Sequence, residues 1–478
     1  MNILFILYGG VETNSFTPLA LFAKELHKRG YECAAVLHGL IEPWSDTSIA
    51  LMKPQEVLDN PLICFSNGKK ADLIHAWTPR QNVCEFVLRY QARYPTPLLI
   101  YCEDNEGWIS ESLVQETGKK LWEVTESALH KVPACLSHPY DYKYFLGLAD
   151  AITVILPQLK IDVPDWIFSD VVMSGVDLNY FSPRPSSNAL KKKYGITDEQ
   201  KIIVYSGGVN QFTAPGIGAL CEAVTLLNES GISCRLLRSG IGELALIPGI
   251  EEKHLAFVSE LGVLPRSEIP ELMALADLFI QPGVVSPFED LRLPCKIPEF
   301  MAMGIPTILP NCNIASFITP GKDALIHQTG APEEMASLCL EIFNNAALAS
   351  SLKLGARRFA ERYFNIRQKV DQLEKIYRSA SEEYKINQSE DFWKRHASEQ
   401  PLINLFLDRI NNLLEIKNRV THQQQLEISA RLIDLMRSFN QRLDARDQEV
   451  DKLNAEISEI KNQKYFKWAR FLGLTRCK

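Results

Sequence analysis

The nine residues Asn2-Ile3-Leu4-Phe5-Ile6-Leu7-Tyr8-Gly9-Gly10 open the chain with a continuous apolar run closed by two glycines. Near residue 200 the same pattern returns as Ile202-Ile203-Val204-Tyr205-Ser206-Gly207-Gly208. Unbroken apolar runs of this length read as strands buried on both faces, the condition of a parallel sheet covered by helices. An amphipathic helix follows each run. Thr17–Arg29 places Leu19, Phe22, Ala23 and Leu26 on one face, and Gly216–Leu227 follows the second glycine pair.

Outward from these two stretches the alternation continues. Strands are expected at Glu32–Leu37, Leu73–Ala76, Leu98–Cys102 and Ala151–Ile155, with a helix at Val83–Arg93. In the second half they fall at Cys234–Arg238, Leu278–Gln281 and Pro306–Leu309, with helices at Ser267–Ala276, Lys296–Met303 and Pro332–Asn344. This predicts an α/β chain of two Rossmann-like, doubly wound domains facing a central cleft. Gly175–Pro185, rich in Pro and Gly, reads as the linker, so the domains are expected at 1–183 and 184–378.

Beyond Tyr377 the composition shifts. Glycine is absent from 356 to 472, and Leu432, Met436, Phe439, Leu443, Arg446, Val450, Leu453, Ile457 and Ile460 follow a 4-3-4-3 spacing. Such spacing predicts a coiled coil within 426–460, able to join copies of the chain, inside a helical tail of 379–478. A single amphipathic helix packed on the body is the other reading. The last fifteen residues, 464–478, interleave four aromatics with five basic groups and carry no acid. That mixture suits contact with an anionic membrane surface, against the plainer reading of a solvated tail.

Composition narrows the classes. Of 478 residues 46% are apolar and 23% charged, which fits a globular chain with sizeable cores, and a net charge of −7 argues against nucleic acid as a partner. The eleven cysteines form no CxxC pair and have no neighbouring histidine cluster, so reduced thiols in a cytoplasmic setting are expected. No apolar run reaches the ~20 residues that span a bilayer. The opening run lacks a basic flank and is too short for an export signal, which leaves a cytoplasmic location, peripheral at the inner membrane face if the tail meets lipid.

Open α/β sheets bind ligands outside the carboxyl ends of their strands. Gly10, Gly207 and Gly208 fall there, where backbone amides can approach a phosphate, although a tight turn with no ligand explains either glycine pair alone. The stretch Arg292-Leu293-Pro294-Cys295-Lys296-Ile297-Pro298-Glu299-Phe300-Met301-Ala302-Met303-Gly304-Ile305-Pro306 says more. Lys296 and Glu299, three apart, share one face at a helix start. An ammonium there suits a diphosphate and a carboxylate one turn on suits ribose hydroxyls; an ordinary surface ion pair is the alternative.

Arg292–Pro306 resembles the RLPSKLPEYLAMGRPV-type signature of the family 4-like glycosyltransferases, which have the two-domain GT-B fold. Gly175-Val176-Asp177-Leu178-Asn179-Tyr180-Phe181-Ser182-Pro183 resembles the GVDxxxFxP segment of that group, and Ala276-Asp277-Leu278-Phe279-Ile280-Gln281-Pro282 its AD-strand-P element. Gly321–Leu325, Ala356–Ala360 and Gln372–Tyr377 extend the likeness. The resemblance implies a nucleotide-sugar donor bound by the second half, with Glu299 on the ribose, and Lys296, Gly207 and Gly208 near the diphosphate. Gly10 would face it from the first half. It also implies retention of configuration without a metal or other cofactor, and a glycan, lipid-linked sugar or protein as acceptor.

Departures from the pattern matter. The first Glu of the family's E-x7-E motif falls on Leu291, with Glu289 and Asp290 displaced beside it. The loop Val209–Gly216 lacks the basic residue that commonly meets the leaving diphosphate, which shifts that task to Lys296, Arg292 and the backbone. The usual His-Asp after a strand appears as Glu103-Asp104, so Glu103 and Asp104 join Lys296 as the expected catalytic set, with Glu103 orienting or deprotonating a sugar hydroxyl; an acidic loop solvated at the strand end is the alternative. His75, in Asp72-Leu73-Ile74-His75-Ala76-Trp77, is the weaker acceptor-side candidate, against the more common reading of a satisfied half-buried histidine. A catalytically degenerate scaffold organised by the coiled coil is the competing function.

Overall fold

The computed structural model describes residues 1–387 except 43, 45, 92, 116–132, 138–140, 166, 211 and 284–285. The expected coiled coil at 426–460 and the basic end at 464–478 lie outside the described residues. Among the described residues two compact units emerge: the first holds 1–154, 159–171 and 373–387, the second 155–158 and 172–372.

The first unit is one sheet of seven strands: β1 (Asn2–Leu7), β2 (Glu32–Leu37), β3 (Ala50–Met52), β4 (Leu73–Trp77), β5 (Leu98–Cys102), β6 (Ala151–Val154) and β7 (Ser169–Val171). Their order is β3-β2-β1-β4-β5-β6-β7 and every pairing is parallel. All six residues of β1 are buried, as its apolar run requires, each large side chain contributing about 1.5–3 kcal/mol of burial. The chain's direction of winding reverses between β1 and β4, so the crevice beyond their carboxyl ends is the natural place for a site.

The second unit repeats the plan with β8 (Lys201–Ser206), β9 (Cys234–Ser239), β10 (Val258–Glu260), β11 (Phe279–Ile280), β12 (Thr307–Pro310) and β13 (Leu325–His327). Ladders β10-β9-β8 and β11-β12-β13 are parallel and meet where Ile203 bridges Leu278. Winding here reverses between β8 and β11, beside the Gly207-Gly208 turn.

The boundary differs from the expected one at Pro183. Gly175–Pro185 is not a free linker but packs within the second unit: the Val176 N–H donates to the Phe364 carbonyl at 2.7 Å, and a Cβ on Gly175 would overlap Ile366. The helix Ile366–Asn387 then begins in the second unit and, from Leu373, belongs to the first. Leu373, Ile376, Tyr377 and Ala380 are buried at helical spacing, so this return is driven by an apolar stripe. Among the described residues no helix is long and apolar enough to cross a membrane.

Candidate functional site

In the second unit the helix Lys296–Ala302 is anchored by burial of Ile297, Phe300 and Met301, and the Phe300 ring stacks on Phe279 of β11 with centroids 3.9 Å apart. This anchoring presents Lys296 at the helix start. Its ammonium donates to the Tyr205 hydroxyl at 2.9 Å and lies 4.1 Å from that ring's centroid. A Cβ on Gly207 would overlap the same ammonium, so glycine is required for the two to meet. The structure thus joins Gly207, Gly208 and Lys296 beyond the end of β8.

Glu299, one turn further, is buried and ion-paired with Arg266. Arg266 in turn lies over the Phe181 ring at 4.8 Å, and its carbonyl accepts the Tyr180 hydroxyl at 3.0 Å. The segment expected as a linker therefore buttresses the carboxylate. Arg292 is spent differently: its Nε is 3.3 Å from the Glu289 carboxylate and its guanidinium lies 4.6 Å from the Phe288 ring centroid. Glu289, the displaced acid, is thereby a partner of Arg292. In the loop after Gly208 the Asn210 carboxamide accepts the N–H groups of Phe212 and Thr213 at 2.9 and 3.1 Å, closing a local turn just before the helix Ala214–Glu229.

The first unit gathers acids beyond β4 and β5. Glu103 is buried; one carboxylate oxygen accepts the Ser15 hydroxyl and the other the Trp77 indole N–H at 2.9 Å. Burial, aided by Asp104 and opposed by Ser15, Arg80 and Trp77, raises its pKa to about 7. Tyr8 stands 3.0 Å from Ser15, and because Ser15 donates to Glu103, Tyr8 donates to Ser15. Arg80, 3.8 Å from the centroid of the Tyr8 ring, reaches Asp104 at 3.2 Å and Glu106 at 3.3 Å. Burial also raises the Glu106 carboxyl, with Arg80 opposing. Thr78, just past β4, is fully buried with φ +74°, a strained setting for a β-branched residue of the kind that clusters at functional sites.

Two expected residues take other roles. The Gly10 N–H donates to Glu12 at 3.0 Å, the other Glu12 oxygen accepts the Leu40 N–H at 3.1 Å, and a Cβ on Gly10 would overlap Leu40. Gly10 is needed for that close turn, and its amide is already taken by a carboxylate rather than offered to a phosphate. His75 is 1% exposed in mid-strand, with Nδ1 2.9 Å from the Tyr377 hydroxyl. Burial lowers its pKa to about 3, so it stays neutral and clamps the returning helix instead of meeting an acceptor. His75→Ala should therefore cost roughly 3 kcal/mol by orphaning a buried hydroxyl and leaving a void, seen as a lower denaturation midpoint with nucleotide affinity unchanged.

Sequence reasoning missed Arg80, Arg238 and Arg266. The signal was present for two: Arg238 ends the otherwise apolar run Leu236-Leu237, and Arg80 follows a buried strand by three residues. A cation placed so close to a strand's carboxyl end is either a ligand contact or a brace for the loops around it.

The fold and these two clusters define an α/β protein whose second unit sets a lysine ammonium beside a glycine turn and a carboxylate one helical turn on. Residues 200–345, which contain Gly207, Gly208, Lys296 and Glu299, match the family model described as glycosyl transferases group 1. That match supports transferase activity. No curated protein sequence matches the chain. Among solved structures, Anabaena HepE in complex with UDP and glucose is similar at TM-score 0.59 and 15% identity, over 78% of this chain and 98% of that one. Sucrose-phosphate synthase from Thermosynechococcus elongatus is similar at 0.57 and 14%, over 79% and 98%. WaaG, a glycosyltransferase involved in lipopolysaccharide biosynthesis, is similar at 0.56 and 14%, over 77% and 99%. At these identities the likeness shows a shared fold.

Proposed function

We propose that the chain transfers a sugar from a nucleotide-sugar donor, held by the second unit, to a hydroxyl of a glycan, lipid-linked sugar or protein. The observation that carries this reading is the Lys296 ammonium seated against Gly207 within the stretch that matches the family. In this reading Lys296 and the Gly208 amide hold the diphosphate and stabilise it as it leaves, without a metal and with retention of configuration. Glu299 takes the ribose hydroxyls, exchanging part of its bond to Arg266 for them. In the first unit, Glu103 receives the acceptor's proton through Tyr8 and Ser15: as the hydroxyl passes its proton to Tyr8, Tyr8 passes one to Ser15, and Ser15 one to the carboxylate. HepE is described in complex with UDP-glucose, which makes uridine donors the first class to test.

Isothermal titration with UDP, GDP and ADP tests the donor half. At least one should bind, and Glu299→Ala should weaken it about tenfold or more, the worth of a charged hydrogen bond to ribose. Equal affinity in the variant would remove Glu299 from the site. The loop without a basic residue favours the scaffold reading, under which none of the three nucleotides binds.

A further inference from the structure

Arg238 is a deeply buried cation of the second unit with every guanidinium nitrogen engaged, and neither the donor contacts nor the core explains it. It is 1% exposed near the end of β9, directly after Leu236 and Leu237. Its Nε and Nη2 both donate to the Gly207 carbonyl, at 3.2 and 3.0 Å. Nη2 also donates to the Ile241 carbonyl, while Nη1 donates to the Gly242 carbonyl and, at 2.9 Å, to Glu260. A burial of this depth is costly for a guanidinium unless its donors are satisfied, and here each of its nitrogens has a partner.

The consequence falls on one peptide group. In a trans peptide the C=O and the following N–H point in opposite directions. Pinning the Gly207 carbonyl on Arg238 therefore turns the Gly208 N–H to the opposite side, and among the described residues nothing accepts it. The neighbouring peptide is fixed as well, since the Gly208 carbonyl accepts the Thr213 hydroxyl at 3.2 Å and the Val209 N–H donates to Ile241 at 3.0 Å. Gly240, at φ +139°, presses on the same peptide so closely that a Cβ there would overlap the Gly207 carbonyl. The Lys296 ammonium lies against the Cα of Gly207.

We infer that Arg238 is a positioning residue for the donor's diphosphate, holding the Gly207–Gly208 peptide so that its N–H is aimed at a phosphoryl oxygen beside Lys296, in place of the basic side chain that the loop 209–216 lacks. This rests on the reading that the second unit binds a nucleotide sugar. A guanidinium beneath the peptide also adds positive potential under the turn, only partly offset by Glu260, which is 38% exposed. A lysine would not serve equally, because a single ammonium cannot offer the planar fork that engages three carbonyls.

The test compares UDP with uridine on the full chain, by isothermal titration and by NMR titration respectively, for wild type, Arg238→Met and Arg238→Lys. Arg238→Met should bind UDP about tenfold more weakly while its uridine affinity stays within about twofold of wild type, as expected when a charge-supported phosphate contact alone is lost. Arg238→Lys should fall between the two. Thermal denaturation shows which variants fold; if only Arg238→Lys does, a UDP-specific loss in that variant decides. Parallel losses for UDP and uridine, or no loss for either, overturn the inference. If wild type binds neither UDP nor uridine, the nucleotide-sugar reading has failed and this inference falls with it.

Discussion

Lys296→Met is expected to lower kcat/KM for sugar transfer by about 10²–10³-fold, the usual worth of one group that stabilises developing charge. The neighbouring cations explain why so much rests on one side chain. Arg292 is neutralised by Glu289, Arg266 by Glu299, and Arg238 sits beneath the turn paired with Glu260. Lys296 pairs with the Tyr205 hydroxyl and ring instead, contacts that orient an ammonium without cancelling its charge. Lys296→Arg should not restore the rate, because a planar guanidinium spreads the charge that the ammonium concentrates against Gly207. Steady-state assays with a donor that binds, set beside thermal denaturation to show an intact fold, check this. A loss of less than about threefold in Lys296→Met would place the leaving-group charge elsewhere.

Glu103→Gln should be more stable than wild type at pH 8 and yet transfer sugar about 10²-fold more slowly, the lower range for loss of a general base. The sign follows from the direction of the pKa shift. Burial raises the folded-state value to about 7 from an ordinary 4.5, so between those pH values the folded chain binds the extra proton. Stability from this group is fully present below pH 4.5 and is lost as pH rises through 7, amounting to roughly 3 kcal/mol of destabilisation above it. An amide keeps the shape and takes on no charge, so the variant escapes that loss. His75 acts in the opposite sense, its depressed pKa costing stability as pH falls below its unfolded value, so the wild-type profile mixes both. The difference between wild type and Glu103→Gln isolates the carboxylate. Calorimetric midpoints from pH 5.5 to 8.5 should show the gap between the two chains widening from the acid end up to about pH 7 and holding constant above it. A variant less stable at every pH, or one fully active, would return Glu103 to a purely structural place.

The parts of the fold that were legible in advance are those where one physical signal dominates. Glu32–Leu37 and Leu98–Cys102 match their strands to the residue because each is an apolar run bounded by polar or turn-forming neighbours. Ala50–Met52 and Val258–Glu260 are three-residue edge strands, too short to show any period, and they exist only because a neighbouring strand offers its edge. Ser267–Ala276, expected as one helix, divides into a short turn at Arg266–Glu268 and the helix Ile269–Met273, with Pro270 in the first turn.

The site divides in the same way. Lys296, Gly207 and Glu299 could be related because helical spacing and strand–turn position both carry geometric information. His75, left open between an acceptor-side role and a satisfied half-buried histidine, shows the limit. A histidine in an apolar strand reads alike whether it ends in a crevice or under a helix that returns from 300 residues away, and Tyr377 decided the matter. Gly10 was expected to face the diphosphate, with a tight turn as the alternative, and local sequence did not reveal that Glu12 would reach back to occupy its amide. Arg266 went unread because its partner is a distant carboxylate, a contact set by tertiary structure alone.

The most direct measurement is a crystal structure of the full chain with a bound nucleoside diphosphate, UDP first. The diphosphate should lie on the Gly208 N–H and the Lys296 ammonium, with the ribose hydroxyls on Glu299. A nucleotide held elsewhere, or a Glu299 still bound only to Arg266 with the ribose out of reach, would contradict the assignment of the second unit as the donor site.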